Sequence, residues 1–266
     1  MFGLHWYGLI IGVGILAALQ ASTWLAKRRR IGEEVIWKVA WWALISGLIG
    51  ARIYHVLDLW NEIYSLNPIS AFYVWNGGLG IIGGLIGGII GLALYFRFQT
   101  SNFRLKHSFQ HLVDIAFFGL PLAQAIGRIG NFINQEVYGM PTDLPWGIYI
   151  EPKNRLSGYE QFSWFHPLFA YEALWMLLGF GLMFLAEKTN KLGWIKRSFT
   201  GFYLVWYGVG RFWLDFLRPA EFVWQLNLPS GIELNMAQAS SGSMVIMGLL
   251  LLRKFEVSFS GNNKKP

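Results

Sequence analysis

One short segment of this 266-residue sequence concentrates side chains that could do chemistry. Arg128, Asn131 and Asn134 are spaced by three, so in a helical turn they would face one way. Glu136 follows at the end of that turn, and Gly139 lies in the loop that closes after it. Amides, a guanidinium and a carboxylate are costly in a membrane unless they line a wet or ligand-filled cavity. The segment therefore predicts a polar site.

Other ionisable residues interrupt long apolar stretches. They are Arg52, Asp114, Glu172, Arg211 and Asp215. Arg211 and Asp215 lie four apart, so they would share a helix face and form an ion pair. A guanidinium offers a rigid bidentate fork for phosphate oxygens, so the arginines favour a phosphate ligand. The alternative is a set of internal ion pairs that only holds the helices in register.

The composition indicates that these residues belong to a membrane protein. The chain is 54% hydrophobic and 14% charged, whereas a soluble domain carries about 25% charged residues. This balance argues against an ordinary soluble enzyme, a disordered chain and a nucleic-acid-binding protein, despite a net charge of +7. Cysteine is absent and the five histidines show no ligand spacing, so no cysteine nucleophile exists and no metal site is expected.

The hydropathy pattern predicts an all-α fold with seven transmembrane helices, since each span needs about 20 predominantly apolar residues. The seven stretches lie at about 2–26, 35–57, 77–96, 111–127, 167–186, 200–217 and 236–252. They form one predicted membrane domain over residues 1–257, with an external loop at about 131–166. A disordered polar tail is expected at 258–266.

The basic residues predict the orientation. Most of the 22 Lys and Arg residues flank the ends of spans one, three, five and seven, which places the N-terminus outside and the C-terminus in the cytoplasm. The exceptions, on the outer side, are Arg52, Arg128, Lys153, Arg155, Arg211 and Arg218. Four of these residues, Arg52, Arg128, Arg211 and Arg218, lie in or beside spans, where they would meet the phosphate of a phospholipid.

The third stretch is rich in glycine. Its glycines form two rows in which successive members are four residues, about one helical turn, apart. One row is Gly80, Gly84 and Gly88, and the other is Gly83, Gly87 and Gly91. Residues without side chains allow a neighbouring backbone to approach closely. The pattern favours tight helix packing, with a lipid-binding face as the alternative.

The polar segment resembles a known family signature. Residues Gly127 to Thr142 match every fixed position of G-R-x-G-N-F-x-N-x-E-x-x-G-x-P-T, the signature of bacterial prolipoprotein diacylglyceryl transferases. Further matches, in order along the chain, lie at His5–Gly8, Gly50–Arg52, Asn76–Leu79, Gly83–Gly84, His166–Pro167, Tyr171–Glu172, Tyr207–Gly208, Arg211 and Arg218. The resemblance therefore covers nearly the whole sequence.

The resemblance implies transfer of the sn-1,2-diacylglyceryl group of phosphatidylglycerol to the lipobox cysteine of a preprolipoprotein, with release of glycerol phosphate. It implies catalytic roles for Arg128, Arg211, Tyr7 and Glu136. The implied substrate-binding residues are Arg128, Asn131, Asn134, Glu136, Gly139, Tyr207 and Arg211. A phosphate that gains charge as it leaves would be stabilised chiefly by Arg128 and Arg211.

The resemblance also implies a setting and partners. The setting is the bacterial cytoplasmic (inner) membrane, with the site facing its outer side. The partners are phosphatidylglycerol, preprolipoprotein signal peptides with a lipobox cysteine, and membrane lipids, without nucleic acid. No metal or organic cofactor is implied, and a monomer is expected.

One position departs from the family pattern. Proteobacterial members carry a histidine directly before the Gly83–Gly84 pair, proposed to assist thiol activation, and this sequence has Ile82 there. Because isoleucine accepts no proton, either His5, Glu136 or His166 serves instead, or no protein base is needed for a thiol with a pKa of about 8.5.

Two other functions are compatible with these residues. The chain could transport an organic anion, although it shows no internal repeat and no matching pair of broken spans. It could also be a non-catalytic lipid-binding relative, which Ile82 would allow. For individual residues, the alternatives are a helix-end role for His166, a core hydroxyl for Tyr207 and a carboxylate partner for Arg52. A purely structural role fits Arg128 least.

Overall fold

A computed structural model describes residues 6–74, 77–99, 109–189, 191–219, 225–227 and 233–262. The chain divides into two compact units. One unit is Ser22–Ile115, and the other combines Met1–Ala21 with Ala116–Pro266. The candidate functional residues of the polar segment all belong to the second of these, which we call the site unit.

The described part of the chain is mostly helical, as the sequence predicts. The α-helices are α1 (Trp6–Arg28), α2 (Glu33–Asp58), α3 (Ile81–Phe98), α4 (Phe109–Asn134), α5 (Leu168–Thr189), α6 (Gly193–Arg197), α7 (Phe199–Asp215) and α8 (Met236–Asn262). Short non-α turns are Trp60–Tyr64, Pro68–Phe72 and Pro152–Asn154. Antiparallel pairs join β1 (Ile148–Tyr149) to β2 (Trp164–Phe165), and β3 (Gln225–Asn227) to β4 (Glu233–Asn235).

Each of the seven predicted spans coincides with a helix. Within the described residues, five helices are long and apolar enough to cross a membrane, namely Gly8–Arg28, Glu33–Asp58, Phe109–Asn134, Leu168–Thr189 and Met236–Arg253. The apolar helix Ile82–Phe98 is shorter, and α7 has 17 residues. The all-α membrane class is therefore confirmed, while seven crossings and the orientation of the termini stay predictions.

Two helices extend beyond their predicted ends. α4 continues to Asn134, so the first residues assigned to the external loop are helical and the loop begins at Gln135. α8 continues to Asn262, which makes residues 258–262 of the expected disordered tail helical. The last four residues, 263–266, lie outside the described part of the chain.

In the other unit, the glycines of α3 serve close packing against α2. A Cβ built on Gly87 would overlap the carbonyl oxygen of Ser46 and lie 3.2 Å from Gly47 Cα. A Cβ on Gly83 would likewise overlap the carbonyl oxygen of Gly50. The glycine row therefore brings two backbones into contact, which confirms the packing interpretation of this stretch.

Candidate functional site

The turn at the end of α4 fixes the direction of Glu136. Gln135 adopts a left-handed conformation with φ +53°. Its N–H donates to the Phe132 carbonyl at 3.1 Å, and the Glu136 N–H donates to the Asn131 carbonyl at 3.0 Å. These two bonds are those of a Schellman C-cap, which folds the chain back over the last helical turn. The cap therefore returns Glu136 to Asn131.

A glutamine occupies the left-handed cap position where glycine is usual. Its side chain accounts for this choice, because Oε1 accepts hydrogen bonds from Glu151 N at 2.9 Å and from Asn154 Nδ2 at 3.0 Å. Val137 is also left-handed, with φ +57°, which is costly for a β-branched residue. The loop thus holds Glu136 between two strained residues, an arrangement that the spacing of the polar segment did not reveal.

The polar side chains of α4 and its cap form a continuous chain of hydrogen bonds. Arg128 Nη1 donates to Asn131 Oδ1 at 2.9 Å, and Asn131 Nδ2 donates to Glu136 Oε1 at 2.8 Å. Asn134 Nδ2 reaches the same Glu136 oxygen at 3.4 Å. Asn131 is buried, whereas Asn134 and Glu136 are exposed. The shared helix face predicted for Arg128 and Asn131 is confirmed.

Three arginines meet the buried carboxylate of Glu172. Arg128 Nη2 pairs with Glu172 Oε2, and Arg218 Nη2 donates to Oε1 at 2.9 Å. Arg211 Nη1 lies 3.7 Å from the same Oε1. The site therefore joins α4, α5, α7 and the turn after α7, with a negative charge at the centre.

Asp215 adds a second carboxylate to this arginine cluster. Arg211 Nη2 lies 3.7 Å from Asp215 Oδ1, which confirms the predicted pair one helical turn apart. The other Asp215 oxygen accepts a hydrogen bond from Asn235 Nδ2. Burial, followed by the charge of Arg211, lowers the pKa of Arg218. Three guanidinium groups against two carboxylates leave the cluster with an excess positive charge, which favours an anionic ligand.

A cavity of about 20 Å³ opens beside the cluster, roughly the volume of one water molecule. Its lining includes Gln124, Arg128, Glu172, Tyr207 and Arg211. Among the described residues, Gln124 Oε1 and Arg211 Nη1 are buried without a hydrogen-bond partner. A buried donor without a partner costs about 1–3 kcal/mol, so an oxyanion that accepted from Arg211 would recover that energy.

Gly139 lies where three segments converge. Its N–H donates to the His166 carbonyl at 2.8 Å, and the next residue, Met140, donates from its N–H to the Leu217 carbonyl at 2.8 Å. A Cβ on Gly139 would lie 2.7 Å from the Leu217 carbonyl oxygen and 2.8 Å from Leu168 Cδ1. Glycine is therefore required for close approach, and this residue shapes the loop instead of contacting the cavity.

Arg52 has a structural role in the other unit. Its guanidinium donates to backbone carbonyls of the turn that follows, those of Ser70, Ala71, Tyr73, Gly77 and Gly78, at 2.7–3.3 Å. These bonds occupy all three guanidinium nitrogens. Among the described residues, Arg52 therefore pairs with backbone carbonyls and with no carboxylate.

The remaining sequence candidates have different outcomes. Tyr7 lies on α1 and its side chain is outside what the structure describes, while His5 and Asn76 are outside entirely. Ile82 is a half-exposed residue of α3. His166 lies two residues before the start of α5, and its Nδ1 lies 3.2 Å from the Tyr171 hydroxyl.

Two residues at the centre of the site, Glu172 and Arg218, were not among the catalytic or substrate-binding residues that the resemblance implied. Both stood out in the sequence as ionisable groups in or beside spans and as motif matches, and Arg218 was one of the arginines expected to meet a phosphate. Gln124 and Trp175, which also line the cavity, carry no comparable signal.

Comparisons with known proteins agree with the motifs. A family model for prolipoprotein diacylglyceryl transferase matches residues 1–253. The chain is 40% identical over 225 residues to a phosphatidylglycerol–prolipoprotein diacylglyceryl transferase of Fervidobacterium nodosum, covering 82% of this chain and 72% of that protein. It is 36% identical over 256 residues to the protein of the same name from a Synechococcus species, covering 94% and 88%.

Proposed function

The chain belongs to the prolipoprotein diacylglyceryl transferase family, and on that premise we propose that its arginine cluster binds the head-group phosphate of phosphatidylglycerol. The protein is a multi-pass membrane transferase for the first step of lipoprotein lipidation. The observation that carries the site assignment is the convergence of Arg128, Arg211 and Arg218 on Glu172 beside a cavity.

The proposed reaction is a displacement at carbon. The cysteine sulfur of the prolipoprotein attacks the glyceryl carbon that bears the phosphate, and a C–S bond forms as the C–O bond breaks. Glycerol phosphate leaves with the bonding electron pair, and the thiol proton passes to a base or to solvent. Negative charge grows on the leaving phosphate, so the arginines stabilise mainly the leaving group in the transition state.

Arg128 and Arg211 are the proposed stabilisers of that charge. Arg128 is fixed by Asn131 on one side and by Glu172 on the other, so its guanidinium is held before substrate binds. Arg211 carries a buried nitrogen without a hydrogen-bond partner among the described residues. A donor held in place in this way contributes about 10²–10³ in rate when it meets developing charge.

Glu172 is proposed to hold the arginines while the site is empty. Without it, three guanidinium groups would repel one another in a buried place. The cluster keeps an excess positive charge beside this carboxylate, so a phosphate, which accepts the same bidentate contacts, can bind to the arginines as well. Asn131, Asn134 and Glu136 are proposed to border the head group next to Arg128, and Tyr207 to form the cavity wall.

Because Ile82 stands where proteobacterial relatives have a histidine, the thiol proton must pass either to another side chain or to solvent. Of the three candidates from the sequence, Glu136 and His166 are described. Glu136 Oε1 already accepts hydrogen bonds from two amides, and His166 is paired with the Tyr171 hydroxyl. Over these two residues we favour ionisation of the thiol without a dedicated protein base, since its pKa of about 8.5 leaves a reactive fraction as thiolate near neutral pH. His5, which lies outside the described residues, stays the remaining candidate.

The setting completes the proposal. The site faces the outer side of the bacterial inner membrane, the acceptor is the lipobox cysteine of a signal peptide, and the protein acts as a monomer without metal, cofactor or nucleic acid. Tyr7, whose side chain the structure does not describe, keeps the catalytic role that the resemblance implies.

A reconstituted assay tests this function. Purified protein is mixed with phosphatidylglycerol and a lipobox peptide, and mass spectrometry measures a gain of one diacylglyceryl group on the cysteine. A gain that requires both substrates is expected. Phosphatidylglycerol binding without product would identify a non-catalytic lipid-binding relative, and uptake of an organic anion into liposomes without product would identify a transporter.

A further inference from the structure

Two tryptophans lock α5 to α7 through reciprocal hydrogen bonds. Trp175 Nε1 donates to the backbone carbonyl of Trp206 at 2.9 Å, and Trp206 Nε1 donates to the backbone carbonyl of Trp175 at 2.8 Å. The two indoles stack with centroids 4.2 Å apart and an interplanar angle of 13°. The contact therefore has local twofold symmetry.

A glycine one helical turn after each tryptophan makes the lock possible. A Cβ on Gly179 would lie 2.6 Å from ring atoms of Trp206, and a Cβ on Gly210 would overlap the indole of Trp175. Each helix thus carries the pattern W-x-x-x-G, with the tryptophan of one helix lying over the glycine of the other.

This arrangement specifies one register between the two helices. In an apolar environment an indole N–H needs a hydrogen-bond partner, because water is not there to supply one. A shift of either helix by one residue would break both bonds and drive a side chain into each indole. The lock therefore fixes α5 against α7 more narrowly than apolar packing alone.

The register of α5 against α7 determines the relative positions of two charged residues of the site. Glu172 lies one turn before Trp175 on α5, and Arg211 lies directly after Gly210 on α7. The 3.7 Å distance between Arg211 Nη1 and Glu172 Oε1 depends on the axial offset between the two helices. Trp175 also lines this cavity, whereas Trp206 is not among its lining residues.

We propose that Trp206 and Trp175 are positioning residues for diacylglyceryl transfer, which set Arg211 against Glu172 through the register of α5 and α7. The proposal rests on the function proposed above. Trp206 is not itself among the residues that line the cavity, so it acts on the site through its contact with Trp175 and through Arg211. Loss of its N–H would leave Arg211 displaced at the moment when the phosphate takes up charge.

A double-mutant cycle tests this role. Trp206→Phe removes the N–H and keeps an aromatic ring, and kcat for thioether formation is expected to fall about tenfold, since small misplacements of a catalytic group cost 10- to 100-fold. In an Arg211→Lys background the same change is expected to cost less than about twofold, because residues that act through one another are not additive. The matched control is Trp213→Phe, an exposed tryptophan of the same helix, which should keep wild-type kcat.

Three results would overturn the proposal. One is a kcat for Trp206→Phe equal to that of the control. Another is a full tenfold loss in the Arg211→Lys background. A third is failure of both Trp206→Phe and Trp175→Phe to fold, which would make the pair purely structural. Absence of turnover in the wild-type protein would instead refute the proposed function, so the two failures are distinguishable.

Discussion

Arg218 donates a hydrogen bond of 2.9 Å from Nη2 to Oε1 of Glu172, across 46 residues of sequence. The same oxygen lies 3.7 Å from Arg211 Nη1, and the other oxygen pairs with Arg128. One buried carboxylate thus organises three cations that come from three parts of the site unit. The stability of the cluster and its affinity for an anion therefore depend on the same residue.

Glu172→Gln should destabilise the protein markedly. The change keeps the shape but removes the charge that offsets three guanidinium groups, and loss of one partner from a buried ion pair costs about 3–5 kcal/mol. Thermal unfolding in detergent micelles measures the effect. The matched control is Glu151→Gln, whose carboxylate forms a surface pair with Lys153 at 2.8 Å and should contribute less than about 1 kcal/mol. Equal midpoints for the two variants would refute the organising role of Glu172.

Ile82→His should leave the rate of transfer unchanged. If the thiol ionises without a dedicated protein base, a histidine added at a half-exposed position of α3 supplies nothing that the reaction lacks. The measurement is the pH dependence of kcat/KM for the peptide between about pH 6 and 9, which brackets the ordinary thiol pKa. A rise of tenfold or more at neutral pH would show that this position can deliver a base and that the native enzyme is limited by its absence.

Gly87→Ala should destabilise the unit formed by residues 22–115, whereas Gly88→Ala should not. The added methyl at Gly87 would overlap the Ser46 carbonyl oxygen, and overpacking of this kind costs about 1–3 kcal/mol. At Gly88 the nearest atom, the Ala43 carbonyl oxygen, would be 3.7 Å away. That variant should even gain from the higher helix propensity of alanine, by up to about 1 kcal/mol. Thermal midpoints decide, and a loss at Gly88 as large as that at Gly87 would contradict the described packing.

Local patterns in the sequence predicted much of the molecule. The long apolar stretches predicted where the helices lie, and the three-residue spacing predicted that Arg128 lies beside Asn131. Both predictions depend only on helix geometry. The meeting of Glu172 with Arg218 was not predictable, since it requires the packing of distant elements. The same holds for Trp175 and Trp206. The partners of Arg52 were not predictable either, because they are backbone carbonyls, which a sequence does not display as candidates.

The loop after α4 shows a further limit of sequence reasoning. The sequence placed Asn131 and Glu136 near one another, yet the external loop was expected to begin at Asn131. The helix instead runs to Asn134 and ends in a glutamine cap. A glycine at that position would have predicted the end of the helix. Gln135 adopts the left-handed conformation instead, because its side chain is anchored to the loop by hydrogen bonds.

The most direct test of the phosphate site is the initial rate of thioether formation by Arg128→Ala with phosphatidylglycerol and a lipobox peptide. Arg218 still holds Glu172 in this variant, so the protein should fold. The loss of one preorganised donor should lower the rate by about a hundredfold or more. Lys153→Ala, which removes a positive charge from the exposed loop, should keep the wild-type rate. A folded Arg128→Ala protein with a rate within about threefold of wild type would contradict the assignment of the phosphate to this cluster.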